Sequence, residues 1–231
     1  MRQAADSEII RLSADIRARK AIKPYKGTEI NIVRRKDMID GMLTWADQVI
    51  CGKNDTRNIL NDYYRRMKWG EGVDLTTPLV GDRIICRKNN WKCVNKIGDA
   101  LVNGSMGLLT KMEVANNPWL EKKCLISFLP DAYDDSPDIE RMYAELLIDW
   151  KLITRNEPTV TKENFSMFPW HLLPEQFEYG YVITCWKAQG GEYEKVLFIA
   201  ESVGRMDEAQ YARYLYTGVT RASKKLTLVI L

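Results

Sequence analysis

The sequence has no G-x-x-x-x-G-K-[ST] stretch, one histidine (His171), no C-x-x-C pair and no apolar run near 18 residues. Each absence closes off a class of protein. Without the glycine-rich loop, the chain carries no cradle of its own for a nucleotide's phosphates. One histidine with five scattered cysteines (Cys51, Cys86, Cys93, Cys124, Cys185) argues against a zinc site, and the odd count argues against a disulfide framework. No segment is long and apolar enough to be a transmembrane helix, and MRQAADSEII has no apolar core of the kind a signal peptide needs. Internal repeats and low-complexity tracts are also missing. A soluble, reduced, cytoplasmic protein without a membrane partner is expected.

What is present is an ordinary globular composition with uneven charge. The 231 residues are 45% hydrophobic, enough to bury a real core. Thirty-four basic and 31 acidic side chains leave a net charge of only +3. Residues 1–70 nevertheless hold 15 basic and 9 acidic groups, whereas residues 131–180 hold 4 and 11. A basic body with an acidic segment set into it suits a polyanion-binding surface of limited reach, and solvated helix faces would account for it equally well.

Along the chain, strands and helices alternate at first. Residues 6–19 read as a helix through Ile9, Leu12 and Ile16, residues 37–47 as a second with Met38, Met42 and Ala46, and residues 55–68 as a third with Ile59, Tyr63 and Met67. Residues 29–33, 48–52 and 81–87 read as strands between and after them, which predicts a parallel sheet covered by helices. The pattern changes after about residue 90, where Asn103-Gly104 and Gly107 separate short apolar pieces. A helix is expected to open at Ser136-Pro137-Asp138 and to run along Ile139, Tyr143, Leu146 and Trp150. Sheet-like runs return at residues 181–185, 196–200 and 226–231, with a helix near 208–217. The expected architecture is α/β, residues 1–91 with 179–231, interrupted by a β-rich insertion at 92–178.

Two stretches carry the chemistry. In Thr184-Cys-Trp-Lys187-Ala-Gln189-Gly190-Gly191-Glu192-Tyr193, a buried strand leads into a loop with a hydroxyl, a cation, an amide, open backbone and a carboxylate suited to a ribose. Ligands bind at such strand ends, and simple turn chemistry is the competing explanation. In Tyr216-Thr-Gly-Val-Thr220-Arg221-Ala222, an arginine between a helix and an apolar strand, with Lys224 and Lys225 close by, is placed either to meet phosphate or to cap the helix. Lys53 to Arg57, at the start of the third helix, offer a phosphate contact or are ordinary surface charges. Trp91 and Trp119 either stack on bases or belong to the core.

Together the two stretches resemble motifs V (T-x-H-K-S-Q-G-x-E-[FW]) and VI (L-Y-V-A-x-T-R-A) of superfamily 1 DNA helicases, against TCWKAQGGEY and LYTGVTRA here. Gln189 is similar to the RecD/Dda-like branch, as are Gly81-Asp82-Arg83 with Val102-Asn103-Gly104 and Gly107. The opening Arg2-Gln3-Ala4 and Ser7-Glu8-Ile9-Ile10 resemble motif IV. The resemblance implies the second RecA-like domain with an SH3-like insertion, the C-terminal half of a monomeric, ATP-dependent helicase moving 5′ to 3′ on single-stranded DNA. By the match, Arg221 and Arg2 reach the γ-phosphate, Gln189 and Gly190 sense the nucleotide, and Glu192 takes the ribose. Thr184 and Lys187 link that site to the strand, with Lys53 and Arg57 as further contacts. ATP with Mg²⁺ would be held mainly by an N-terminal RecA-like domain, so the chain alone is expected to be inactive. Trp186 replaces the family's usual histidine, and Asp134-Asp135 reads as an acidic loop rather than a Walker B pair. The competing class is a stand-alone nucleic-acid-binding or partner-binding module that has lost the motor.

Overall fold

The computed structural model describes residues 7–75, 77–115, 123–131, 136–149 and 174–230. In chain order the elements are α1 (Glu8–Arg17), β1 (Tyr25–Lys26), β2 (Ile30–Arg34), α2 (Asp40–Trp45), β3 (Gln48–Cys51), α3 (Asn54–Trp69) and β4 (Arg83–Cys86). There follow β5 (Asn90–Val94), β6 (Ala100–Leu101), β7 (Met106–Ala115), β8 (Lys123–Pro130), α4 (Asp138–Arg141), β9 (Tyr143–Asp149) and β10 (Phe177–Tyr179). The chain closes with β11 (Val182–Thr184), β12 (Tyr193–Ile199), α5 (Glu208–Val219) and β13 (Ala222–Ile230). These elements form two compact units, residues 1–60 with 182–231 and residues 61–181.

The first unit is built on a six-stranded sheet of order β1-β2-β13-β12-β3-β11. Five strands are parallel and β1 is an antiparallel edge. Parallel strands are covered on both faces, which is why β3, β11 and the second half of β12 read as unbroken apolar runs. Helix α1 starts where Ser7 accepts the Ile9 N–H, and it buries Ile9, Leu12 and Ile16. The carboxylate of Glu29 accepts from Ser7 Oγ (2.7 Å) and the Glu8 N–H, while Glu8 accepts the N–H groups of Glu29 and Ile30. Those backbone donors hold the Glu8 carboxyl below the usual carboxylate range. The clamp fixes the start of α1 to the start of β2. Helices α1 and α5 pack on each other and on β13. Gly218 lets α5 come this close, because a Cβ there would stand 2.3 Å from the ring of Phe198.

The second unit is a five-stranded antiparallel sheet of order β10-β4-β7-β8-β9, with a β5-β6 hairpin. Its core gathers Leu109, Ile126, Phe128, Tyr143, Ile148 and Phe177. Beside it lies a fully buried ion pair. Arg65 Nη2 stands 3.2 Å from Asp82 Oδ2 and donates to the Thr77 carbonyl, while Nε donates to Asp82 Oδ1 and Nη1 to the Asp74 carbonyl. Asp82 also accepts from Trp69 Nε1, the Tyr181 hydroxyl and the Leu79 N–H. Every charge in the cluster is met, the condition under which a buried pair is tolerated.

Four expectations are corrected. Strand β4 pairs antiparallel with β10 and β7, so it does not join the parallel sheet into which the strand–helix alternation put it. The antiparallel sheet thus takes in a strand that precedes residue 92. The helix expected through Tyr143 and Leu146 is one turn long and gives way to β9. A β-bulge opposite Ser127, with Glu145 in the left-handed region (φ 56°), resets the strand's phase. Tyr143, Leu146 and Ile148 all face the core as a result, and the first interval imitates helical spacing. Trp150 lies outside the described residues. The apolar stripe of α3 is also not a core face: Ile59 and Met67 are exposed, and the buried residues are Asn61 and Arg65. Likewise α2 covers only Asp40–Trp45, and its buried residue is Leu43, which the sequence places alongside the Met38, Met42 and Ala46 stripe rather than in it.

Candidate functional site

The parallel sheet presents two edges, and the expected site residues divide between them. At the carboxyl edge β11, β3 and β12 end level, since Thr184 pairs with Cys51 and Cys51 with Ile199. The Cys185 N–H donates to the Cys51 carbonyl (2.9 Å), which brings the turn after β11 beside the start of α3. Thr184 is buried, and its carbonyl accepts the N–H groups of Lys187 and Ala188 (2.9 and 3.1 Å). Lys187 and Arg57 are half-buried and Lys53 is exposed, so Thr184, Lys187, Lys53 and Arg57 do share one neighbourhood. Arg34, Arg35 and Lys36, which follow β2 at the same edge, are exposed as well.

Glu201, just beyond β12, organises this edge, and the sequence reading did not single it out. It is 2% exposed. Its Oε2 accepts the N–H groups of Gly52 (3.0 Å) and Lys53 (2.9 Å), and its Oε1 accepts from the Thr56 hydroxyl (2.6 Å). Arg35 Nη1 stands 3.5 Å away. The two amides that lead into α3 are therefore already taken by a carboxylate at the positive end of the helix dipole. The Lys53 N–H is thereby occupied, while its side chain is exposed. A charged residue directly after the apolar run VLFIA was the available signal. The thiols of Cys51 and Cys185 are pushed up to about 12, chiefly by burial, and stay protonated at neutral pH.

The loop over residues 185–192 leads from this edge to the other. Strand β12 spans the separation between them, about 20 Å for seven residues. At the amino edge the Tyr193 N–H donates to the Arg221 carbonyl (2.9 Å), and Tyr193 pairs with Ala222. The guanidinium of Arg221 then reaches two ways. Its Nε donates to the Thr217 carbonyl in the last turn of α5 (3.0 Å), and its Nη1 donates to the Gly191 carbonyl (2.9 Å) with Ala188 O at 3.5 Å. Its Nη2 donates to Thr220 Oγ1 (3.1 Å). Arg221 both caps the helix and brackets Gln189 and Gly190. Gln189, Gly190 and Glu192 are exposed, and Gly190 adopts φ +86°, open space that suits glycine. Arg2 lies outside the described residues, as does Trp119. Trp91 is exposed on β5. Among the described residues no cluster of His, Cys, Asp and Glu is arranged to hold a metal, and no helix is long and apolar enough to cross a membrane.

The fold matches that of the second RecA-like domain of solved helicases. Residues 179–229, which contain both stretches, match the family profile of the UvrD-like helicase C-terminal domain. The whole chain also superposes on solved Pif1 helicases. One is Pif1 from Candida albicans, with TM-score 0.55, 15% identity, and 100% of this chain covering 55% of that one. A second is Bacteroides Pif1 in complex with ADP-AlF3 and ssDNA, with TM-score 0.51, 14% identity, and coverage of 99% and 50%. A third is Bacteroides Pif1 bound to ssDNA, with TM-score 0.50, 14% identity, and coverage of 100% and 50%. The chain spans about half the length of the solved helicases it matches. No curated protein sequence is a significant match.

Proposed function

We propose that the chain is the C-terminal half of an ATP-dependent DNA helicase of superfamily 1, with residues 92–178 as its SH3-like insertion. The observation that carries this reading is the fork of Arg221, which joins the end of α5 to the loop over residues 185–191. All four of its acceptors are neutral, three carbonyls and a hydroxyl, so none of them cancels the guanidinium charge. A planar, permanently charged fork in that setting fits a phosphate oxygen. ATP, with Mg²⁺ held by a first RecA-like domain, supplies the phosphoryl group whose transfer drives the cycle. Arg221, with Arg2, neutralises charge at the γ-phosphate. Gln189 and Gly190 report on the nucleotide from within the loop that Arg221 brackets, and Glu192 holds the ribose. At the opposite edge Thr184, Lys187, Lys53 and Arg57 follow the phosphates of a single strand, without base readout, as a translocase requires. The loop connecting the edges passes nucleotide state to strand grip, and the translocation runs 5′ to 3′.

The test is turnover in the complete protein. Arg221→Ala should nearly abolish DNA-stimulated ATP hydrolysis and leave single-strand affinity close to unchanged. A surviving rate removes Arg221 from this role. The isolated chain should show no DNA-stimulated hydrolysis, and measurable hydrolysis by the pure chain overturns the half-motor reading.

A further inference from the structure

We propose that Trp186 is a base-stacking platform for single-stranded nucleic acid. The inference rests on the strand-track reading of the carboxyl edge and names an interaction that the charged residues there cannot supply. Trp186 is 50% exposed, on the first turn after β11. Its indole meets the Tyr214 ring edge-on, with centroids 5.5 Å apart and planes at 86°. Tyr214 is itself fixed. It is buried, it contacts Phe198 and Tyr211 through its ring, its hydroxyl accepts the Glu201 N–H (3.2 Å), and its carbonyl accepts the Cys185 thiol (3.5 Å). The indole therefore stands on a rigid aromatic post and keeps half of its surface open.

The setting selects the occupant. Lys187 follows Trp186 directly, and the Cys185–Cys51 backbone bond brings Lys53 and Arg57 alongside. Arg34, Arg35 and Lys36 extend the same edge. Of the nearby carboxylates, Glu201 is buried and already accepts from four groups, and Asp55 lies in the first turn of α3. An exposed indole on an edge that also carries cations is the combination that binds unpaired bases and their phosphates together, because every base has a π-face. A protein partner that required apolar contact would leave these cations unmatched.

The experiment measures binding of the full chain to labelled dT20 and to an abasic strand of equal length, by fluorescence anisotropy across a salt series. Wild type, Trp186→Leu, Trp186→Phe and Lys187→Ala are compared, and thermal melts verify folding. Trp186→Leu keeps an apolar group against Tyr214 and removes the stacking face. It should lose about 5- to 150-fold in affinity for dT20 and most of the preference over the abasic strand. Its salt slope should match that of wild type, since no phosphate contact is lost, and Trp186→Phe should recover most of the affinity. If Trp186→Leu melts abnormally, the Phe variant decides: the dT20 preference must persist in it. Wild-type affinity and preference in Trp186→Leu, alongside a weakened Lys187→Ala, overturn the platform and leave the strand track standing. A wild-type chain with no salt-dependent binding to either strand overturns the track and the platform together.

Discussion

The two edges of the parallel sheet hold their charge in opposite ways. At the amino edge one guanidinium is tied down by neutral acceptors, and its neighbours Lys224 and Glu194 neutralise each other at 2.5 Å. At the carboxyl edge one buried carboxylate, Glu201, is surrounded by donors, and the cations of β2, α3 and the β11 turn project around it. A single fixed fork suits one phosphoryl group in one geometry. A row of cations with an open indole suits a polymer that must slide. The loop over residues 185–192 is the covalent connection between these two designs.

Experiments can break this contrast, beginning with the largest effect. In the complete protein, the role proposed for Arg221 predicts that loss of its fork costs about 10³–10⁵ in turnover, the effect of an arginine acting on charge that develops during transfer. Single-strand affinity should barely move, and equal losses in both would erase the distinction between the edges. A substitution within the second unit sets the scale for stability. Asp82→Ala strands Arg65 without its carboxylate in a fully buried site and should destabilise the second unit by about 3–5 kcal/mol in denaturant unfolding. Glu201→Ala should follow at about 1–3 kcal/mol, since the Gly52 and Lys53 N–H groups and the Thr56 hydroxyl lose their acceptor. Unlike the Asp82 change, it should also weaken single-strand binding, because the start of α3 loses its anchor. Unaltered binding would mean that Glu201 serves stability alone. The smallest effect belongs to Lys187→Ala, a few-fold loss of affinity with the salt slope reduced by about 1.

How much of this was legible in the sequence depends on the range of the interactions involved. The buried parallel strands β3, β11 and β12 announced themselves as apolar runs, α1 as an amphipathic stretch through Ile9, Leu12 and Ile16, and α5 as a helix near residues 208–217. The stretches around Lys187 and Arg221 stood out because polar and glycine-rich loops adjoin those runs. The phase of β9 did not, since one bulged residue gives a strand the spacing of a helix. Nor did the inward face of α3, where a buried arginine and asparagine take positions that hydrophobic periodicity assigns to solvent. Glu201 gave a partial signal, a charge at the end of a strand, and its four donors come from elements more than 140 positions away.

Local order settled most element types, the polar character of the two candidate stretches and the lack of a phosphate-cradling loop, because each depends on neighbours within a few residues. Pairing settled the rest. That β4 joins an antiparallel sheet, that Thr184 and Cys51 end level, and that Arg221 closes on Gly191 thirty positions earlier are long-range outcomes. Contacts of that kind form only when the chain buries its apolar faces together, and the spacing of residues along the chain does not encode which faces meet.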